Sequence, residues 1–302
     1  MKVFLTGATG YIGSVVAEKL HQAGHVVVAL ARNHAAQNKL EKLGYQTVMG
    51  ALSNSEVLSK TAQQTDGVIH LAQMRFDPSA NFMTQMQASS KLQLDSVTAF
   101  LKGLEGSGKP LIVTGGTGAY RDTGSRVVDE DTPVQAPPMI TGLAQAENNV
   151  LNSSSVRGMA IRPAIVFGRG SGPVSQVLAM SRGLGKVRMT GNGSNPLSLV
   201  HLEDVADLYL LMLEKAKPGS LLNAVAEPFI TQKQLLEAIS KRLGYGGQLE
   251  VKNPLWQQVL MMLGKGSYNI FGSTMRVSAA RARALGWQPR PATAVFDEVG
   301  RL

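Results

Sequence analysis

Gly7-Ala8-Thr9-Gly10-Tyr11-Ile12-Gly13 stands between an apolar run at Val3–Thr6 and a helical pattern that starts at Tyr11. Glycine permits the positive φ of a tight turn and lets the backbone approach a ligand closely. The start of the following helix offers free N–H groups and a partial positive charge to a phosphate. The segment therefore predicts the pyrophosphate site of a dinucleotide cofactor. Its predicted binding residues are Gly7, Thr9, Gly10, Tyr11, Ile12 and Gly13.

Outward from this turn, short β-branched runs alternate with longer helical patterns as far as about residue 165. The predicted strands are Val3–Thr6, Val26–Ala31, Gln46–Met49, Gly67–Leu71, Pro110–Thr114 and Gly158–Arg162. The predicted helices cover residues 11–23, 34–43, 54–64, 80–104 and 141–153. Apolar strands that alternate with helices predict an α/β protein with a Rossmann-type doubly wound parallel sheet, covered on both faces.

Beyond Gly168 the chain becomes richer in glycine and proline, and the predicted elements become shorter. This change predicts a smaller, partly interleaved C-terminal α/β domain that holds the substrate. We place the Rossmann domain at 1–167 with about 203–225. The substrate-binding domain takes 168–202 and 226–302.

Two capping-box spacings predict helix starts. In a capping box, a Ser or Thr side chain accepts a hydrogen bond from the backbone N–H three residues later. The Glu or Gln side chain at that later position accepts one from the backbone N–H of the Ser or Thr. Ser53 with Glu56 is predicted to start the third helix. Thr231 with Gln234 is predicted to start a helix in the second half.

The end of the second predicted strand selects the cofactor. Rossmann sites for NAD usually place Asp or Glu there to accept from the ribose 2′-hydroxyl, whereas NADP sites place a cation there. This chain has Arg32-Asn33-His34 at that point and no acid before Glu41. An arginine binds a phosphate through two parallel hydrogen bonds. The sequence therefore predicts NADP(H), with Arg32 and Asn33 among its binding residues.

The composition excludes several classes of protein. The 302 residues include no cysteine, which excludes disulfides, thiolate catalysis and Cys-ligated metals. Lys and Arg number 30 against 21 Asp and Glu, and the net charge of +9 lies wholly in residues 151–302. Between Glu250 and Asp297 there is no acid, so we expect a solvated basic face. The alternative is a face that attracts an anionic substrate or surface.

Other partners are excluded by the motifs that the chain lacks. No nucleic-acid-binding motif accompanies the cations. No apolar run approaches the 18 or so residues that span a bilayer, and the first residues form no signal-peptide core. We therefore expect a cytoplasmic protein with neither a nucleic-acid nor a membrane partner.

Four further segments carry a resemblance to a known family. They are Ile69–Ala72, Arg162–Gly168, Leu199–Asp207 and Leu285–Pro289. Together with the glycine turn they make the chain similar to the extended short-chain dehydrogenases/reductases, the epimerase/dehydratase-like branch. The resemblance implies that the turns after several strands surround the cofactor. The residues so implied are Ala51, Leu52, Leu71, Ala72, Gln73, Thr114, Pro163, Ile165 and Val166.

The chain departs from this family where the chemistry takes place. The resemblance implies a Tyr-x-x-x-Lys pair on the fifth helix and a Ser or Thr after the fifth strand. In the family a glutamate usually follows the lysine by four residues, and Glu147 is taken as that glutamate. Leu143 then stands at the position of the lysine and Met139 at that of the tyrosine. Gly116 falls at the serine. No Tyr-x-x-x-Lys occurs anywhere in the chain, which makes it an atypical member.

Two hydroxyl residues near the expected nicotinamide are the candidate catalytic groups. We expect Thr117 to polarise a substrate carbonyl and Tyr120 to donate a proton, a role that contributes roughly 10²–10⁴-fold to a rate. No group of His, Asp and Glu has the spacing of metal ligands, so no metal site is predicted.

Apolar residues concentrate in the segments that flank the family's cleft. They are Met74, Phe76, Phe82, Met83, Met86, Met139, Ile140, Leu255, Trp256, Leu260, Met261 and Met262. Methionine-rich surfaces adapt to irregular apolar ligands. The pattern therefore predicts a hydrophobic small-molecule substrate.

Three functions remain open at this stage. The first is an NADP(H)-dependent oxidoreductase with non-standard acid catalysis. The second is a sensor that binds NADP(H) without turning it over, and the third is a non-redox isomerase or cyclase. We expect a monomer or a homodimer. For a homodimer, the family suggests contact through the fourth and fifth helices.

Overall fold

Three β-sheets organise the part of the chain that the structure, a computed structural model, describes, namely residues 1–74, 77, 79–134, 141–252 and 271–302. The strands are β1 (Lys2–Thr6), β2 (Val26–Ala31), β3 (Gln46–Met49), β4 (Gly67–His70), β5 (Pro110–Thr114), β6 (Arg157–Pro163), β7 (Ile165–Phe167), β8 (Arg188–Thr190), β9 (Pro196–His201), β10 (Leu221–Ala224), β11 (Ala226–Thr231) and β12 (Glu250–Lys252). The largest sheet has the order β10-β6-β5-β4-β1-β2-β3, and every neighbouring pair in it is parallel.

Helices separate the strands of this sheet and cover both of its faces. They are α1 (Tyr11–Gln22), α2 (His34–Glu41), α3 (Ser55–Gln63), α4 (Phe82–Gly103), α5 (Thr141–Leu151), α6 (Gly172–Leu184), α7 (Leu202–Lys215), α8 (Gln232–Arg242), α9 (Ala280–Ala284) and α10 (Ala294–Arg301). The α/β class and the doubly wound parallel sheet predicted from the sequence are confirmed.

β1 illustrates how the sheet is buried from both sides. Val3 and Leu5 lie in a core formed with α1 and α7, because alternate side chains of a strand face opposite ways. Phe4 lies in the second core, where its ring meets Phe100 of α4 edge-to-face with the ring centroids 5.9 Å apart. A strand buried on both faces must be apolar throughout, which explains the unbroken run at 3–5.

The chain after β6 builds a smaller layer beside the main sheet. β7, β9 and β11 form one small sheet and β8 pairs with β12, while β10 returns to the edge of the main sheet. A third core joins them to α6, α8 and α10. The domain boundaries given above stay a prediction.

The two capping-box predictions have different outcomes. Thr231 and Gln234 form the complete box at the start of α8. The prediction for Ser53 with Glu56 is wrong, since the residue that precedes α3 is Asn54. The Asn54 side chain accepts from the Ala51 N–H at 2.7 Å, so it closes the turn after β3 and shifts the helix start by one residue.

Three arginines of the expected solvated basic face are exposed, and each also pairs with an acid from a distant part of the chain. The pairs are Arg281 with Asp131, Arg283 with Glu227, and Arg290 with Asp204. Tertiary folding therefore supplies the acids that the sequence between 250 and 297 lacks. These exposed ion pairs connect the C-terminal segment to the rest of the protein.

α4 lies between α3 and α5 and turns a polar face to solvent. A Cβ on Gly103 would lie 2.2 Å from the Ser59 carbonyl oxygen of α3, and one on Gly142 would lie 2.7 Å from the Ser90 carbonyl oxygen of α4. Only glycine allows backbones to approach so closely.

The exposed residues of α4 are Thr84, Gln87, Ala88, Lys91, Thr98 and Lys102.

We predict that Gly103→Ala destabilises the protein by about 1–3 kcal/mol, because a methyl group there overpacks against backbone. Gly183→Ala is the matched control. Gly183 also lies in the last turn of a helix, but a Cβ there meets none of the described residues within 4 Å. The control should stabilise by roughly 0.5–1 kcal/mol through helix propensity alone. Urea unfolding measures both, and equal effects of the two changes would contradict the packing argument.

Candidate functional site

The glycine turn packs tightly against the turn that follows β4. Gly7 has φ of 82°, and a Cβ on it would lie 2.8 Å from the Ala72 nitrogen. A Cβ on Gly13 would lie 2.1 Å from the Gly7 oxygen. Gly10 precedes α1 and supplies no side-chain cap, so the first N–H groups of α1 are left for a ligand. The predicted pyrophosphate loop thus lies at the carboxyl end of β1.

A closed ring of four hydrogen bonds lies directly beneath this turn. The His70 ring contacts Thr6 Oγ1 through Nδ1 at 2.7 Å and Gln93 Oε1 through Nε2 at 2.8 Å. The Gln93 amide donates to the Ala72 carbonyl at 2.8 Å, and the Ala72 N–H donates to Thr6 Oγ1 at 3.2 Å. The ring ties β1, the end of β4 and the middle of α4 together.

The geometry assigns the direction of each hydrogen bond. Gln93 Oε1 can only accept, so His70 must carry its proton on Nε2. His70 Nδ1 is then an acceptor, and the Thr6 hydroxyl donates to it while accepting from Ala72. Burial lowers the pKa of His70 to about 4, so the imidazole is neutral at pH 7. With a neutral imidazole, the hydrogen bonds run in this order and satisfy the polar groups of Thr6, His70, Ala72 and Gln93.

Thr114, a predicted cofactor residue at the end of β5, uses its hydroxyl inside the protein. It donates to the His70 carbonyl at 2.8 Å and pairs with the buried Tyr209 hydroxyl of α7 at 2.7 Å. Its lone donor is therefore committed to joining β4, β5 and α7. The Thr114 side chain could therefore meet a cofactor only as an acceptor unless it gave up one of these bonds.

The end of β2 presents a cation to solvent. Arg32 is exposed and has no partner among the residues that the structure describes. The Asn33 side chain accepts from the Ala36 N–H at 2.8 Å and caps α2. Glu41, the nearest acid along the chain, accepts hydrogen bonds from Gln37 and Thr47 instead of facing this point.

The remaining residues predicted to contact the cofactor also follow strand ends. Ala51 and Leu52 follow β3, and Leu71, Ala72 and Gln73 follow β4. Pro163, Ile165 and Val166 lie at the end of β6 and in β7. Ligands of doubly wound sheets bind outside the carboxyl ends of the strands. The fold brings these residues to the same edge of the sheet as the glycine turn.

Tyr120, one of the two predicted catalytic residues, is 9% exposed and its hydroxyl donates to Asn223 Oδ1 at 3.0 Å. The Arg162 guanidinium lies over its ring, 4.9 Å from the ring centroid, and is itself bonded to Glu147 of α5. Burial raises the pKa of Tyr120 against the opposing effect of Arg162. To act as an acid, Tyr120 would have to give up its bond to Asn223.

Thr117, the other predicted catalytic residue, is 3% exposed and makes no hydrogen bond with the described residues. Among the described residues that are not its chain neighbours, the Pro163 oxygen at 3.9 Å is the nearest to a Cβ built on Gly116. Leu143, at the position expected for lysine, donates its N–H to Ser90 Oγ at 3.2 Å. Met139, at the position expected for tyrosine, lies outside the described residues.

The predicted apolar substrate surface is described only in part. Met74, Phe82, Met83 and Met86 are half-buried at the end of β4 and the start of α4. The other members, Phe76, Met139, Ile140, Leu255, Trp256, Leu260, Met261 and Met262, lie outside the described residues.

Sequence reasoning missed the ring of Thr6, His70 and Gln93. Two of its members carried a usable signal, because Thr6 and His70 are polar residues that end otherwise apolar strands. Gln93 carried no such signal, since a glutamine in a helix of mixed apolar and polar residues cannot be told apart from one that faces solvent. Among the residues that the structure describes, no three His, Asp or Glu are grouped as metal ligands, and no helix is long and apolar enough to cross a bilayer.

The sequence matches the NAD dependent epimerase/dehydratase family over residues 3–224. The chain therefore belongs to this family, as the resemblance predicted. A protein of Schizosaccharomyces pombe named Uncharacterized protein C2A9.02 is 31% identical over 299 residues, which is 98% of each chain.

Two better-described proteins are also similar. The 2-alkyl-3-oxoalkanoate reductase of Stenotrophomonas maltophilia is 26% identical over 73% of this chain and 67% of its own length. Human epimerase family protein SDR39U1, whose crystal structure was solved with NADPH, superposes with a TM-score of 0.80 at 20% identity, covering 100% of this chain and 99% of that one. The structural match confirms the fold.

We predict that His70 makes stability fall with acid. The folded-state pKa of His70 lies below the ordinary value of 6.5, at about 4. The unfolded chain therefore takes up a proton that the folded ring refuses, and stability is lost as pH falls from about 6.5 to 4. The loss attributable to His70 is about 3 kcal/mol.

Urea unfolding at intervals from pH 7 to pH 4 measures this loss. His70→Gln should be less stable at pH 7 and should lose that much less over the interval. His34→Gln, which changes an exposed histidine, is the control and should retain the wild-type slope. A wild-type slope in His70→Gln would show that the assignment is wrong.

Proposed function

We propose that the protein is an NADP(H)-dependent oxidoreductase that acts on a hydrophobic small molecule. The observation that carries the cofactor choice is Arg32, exposed and unpaired among the described residues at the end of β2. A guanidinium at that point favours a 2′-phosphate, and the absence of an acid at 31–34 leaves a ribose 2′-hydroxyl without its usual acceptor.

The named relatives support both parts of the proposal. The Stenotrophomonas protein is named as a reductase of 2-alkyl-3-oxoalkanoates, which combine a carbonyl with apolar chains. The human structural neighbour was solved with NADPH. The half-buried Met74, Met83 and Met86 near the end of β4 are consistent with an apolar substrate.

We propose Thr117 as the group that polarises the substrate carbonyl. The bound cofactor supplies the hydride, so the chain has only to position the carbonyl and hydrogen-bond its oxygen as charge develops there. The Thr117 hydroxyl is free for this among the described residues, and Gly116 leaves room beside it. Tyr120 remains the second candidate donor, and its packing against Arg162 also holds the 117–120 turn in place.

A sensor that binds NADP(H) without turnover is the second candidate. The observation that favours it is that the Thr114 and Tyr120 hydroxyls are both engaged inside the protein. Leucine also replaces lysine at 143. Tight NADPH binding without turnover on any apolar ketone, enone or imine would favour the sensor.

We predict that Arg32→Ala weakens NADPH binding about 10- to 100-fold, because it removes a charge-assisted pair with the 2′-phosphate. NADH binding should change by less than about twofold, since NADH has no such phosphate. Lys42→Ala removes a cation at the far end of α2 and should alter neither. Calorimetric titration of both cofactors measures the effects. Equal weakening for NADPH and NADH would contradict the assignment.

We predict that Thr117→Val lowers kcat about 10²-fold and leaves the NADPH Kd unchanged, because only a hydrogen bond to the reacting oxygen is lost. Turnover is followed as loss of NADPH absorbance on a panel of apolar ketones, enones and imines. Thr98→Val, on the exposed face of α4, is the matched control.

Gly116→Ser in the Thr117→Val background provides the converse test. No described residue outside the neighbouring chain would clash with a Cβ at Gly116, and the new hydroxyl would take the family's serine position. It should recover at least part of the lost rate. If Thr117→Val kept wild-type turnover while Tyr120→Phe lost it, Tyr120 would be the donor.

A further inference from the structure

The loop between β7 and α6 has an unusual backbone. Gly168, Arg169, Gly170 and Gly172 have φ of 130°, 53°, 64° and 84°. Glycine adopts such angles freely, but arginine rarely does. Residues 168–172, here called the hinge loop, therefore place one strained residue among glycines. Such a conformation persists only where its surroundings hold it.

Carboxylates on two helices hold the strained residue. Arg169 Nη1 lies 2.7 Å from Glu18 Oε2 of α1, and Arg169 Nε lies 2.7 Å from Glu203 Oε1 of α7. Both helices pack on the main sheet. The centre of the hinge loop is thus fastened to the cofactor-binding side of the protein.

A third carboxylate holds the next residue from the opposite side. The Gly170 N–H donates to Glu298 Oε1 at 2.7 Å, and Glu298 lies on α10. α10 and α6 share the third core with the small sheet. The hinge loop therefore lies where the main sheet's helices meet the smaller layer.

Tyr11 links the hinge loop to the glycine turn. Its hydroxyl donates to the Gly168 carbonyl at 2.9 Å, and a Cβ on Gly172 would lie 2.5 Å from its ring. Tyr11 thus contacts the first and the last residue of the loop. Burial and the nearby Glu298 carboxylate raise the pKa of Tyr11, so the hydroxyl remains a donor.

We propose that Tyr11 is a positioning residue that couples cofactor occupancy of the glycine turn to the hinge loop, and through it to the smaller layer. The proposal rests on the proposed function, since it takes NADP(H) as the ligand of the turn. It goes beyond that function by assigning Tyr11 a role in communication as well as in binding.

The coupling follows from the position of Tyr11 at the first residue of α1. A phosphate bound to the N–H groups of this turn restrains the backbone on which the Tyr11 ring is mounted. The ring in turn restrains Gly168 and Gly172, and α6 begins at Gly172. Glu298 holds the same loop from α10. A cofactor bound at the glycine turn thereby biases the placement of α6 and α10 in the smaller layer.

Hydrogen exchange with and without saturating NADPH tests the proposal. In the wild type we expect NADPH to slow exchange of the amides at 7–13 and also, about tenfold, at 168–172. Tyr11→Phe keeps the backbone N–H that is predicted to bind the pyrophosphate and removes only the hydroxyl on Gly168. The slowing at 7–13 should therefore persist, while that at 168–172 falls below about twofold. Tyr45→Phe, which changes a buried tyrosine packed against His21 at the opposite end of α1, should behave as the wild type.

Glu298→Ala provides a second variant that leaves the glycine turn untouched. It should also lose the slowing at 168–172, because Gly170 then lacks its acceptor. An unaltered hinge loop in NADPH-bound wild type, or full slowing there in Tyr11→Phe, would overturn the coupling while leaving cofactor binding intact. No change at 7–13 with NADPH would instead reject the proposed function, and the coupling with it.

Discussion

Four hydrogen bonds close a ring between the end of β1, the end of β4 and the middle of α4, and the cofactor edge of the sheet depends on it. The ring fixes Ala72 in the place where Gly7 must approach within contact of its nitrogen. Thr114 and Tyr209 extend the polar contacts from the His70 carbonyl to β5 and α7. These hydrogen bonds hold the ends of β1, β4 and β5 in fixed positions relative to one another. Because burial keeps His70 neutral, this order costs no buried charge.

The sequence was sufficient for the main sheet, and the reason is physical. Strands buried on both faces are apolar throughout, and the glycine turn can serve only at a strand–helix junction, so pattern and position agree. The failures came where a distant residue decides. The residue that precedes α3 is Asn54 and not Ser53, because the Asn54 side chain accepts a hydrogen bond from the Ala51 N–H. The ion-pair partners of the exposed Arg281 and Arg290 were likewise not predicted, because their acids come from elsewhere in the chain.

The candidate site divides in the same way. The roles proposed for the glycine turn and Arg32 could be inferred from the sequence, because they depend on local backbone and on charge at a strand end. Which hydroxyls are free was not visible. Tyr120 and Thr117 look alike in a glycine-rich segment, yet one donates to Asn223 and the other has no partner among the described residues. That distinction depends on β10, about a hundred residues away, and no local pattern encodes it.

The polar face of α4 constrains how the protein can associate with itself. A second copy packed on that helix, the arrangement that the family suggests for a dimer, would cover Lys91 and its ion pair with Asp95. Removing both charges from water costs several kcal/mol per ion unless the partner supplies new hydrogen bonds. The helix also has no apolar stripe among its exposed residues to offset that cost. An interface there would have to be assembled from polar contacts and bridging water.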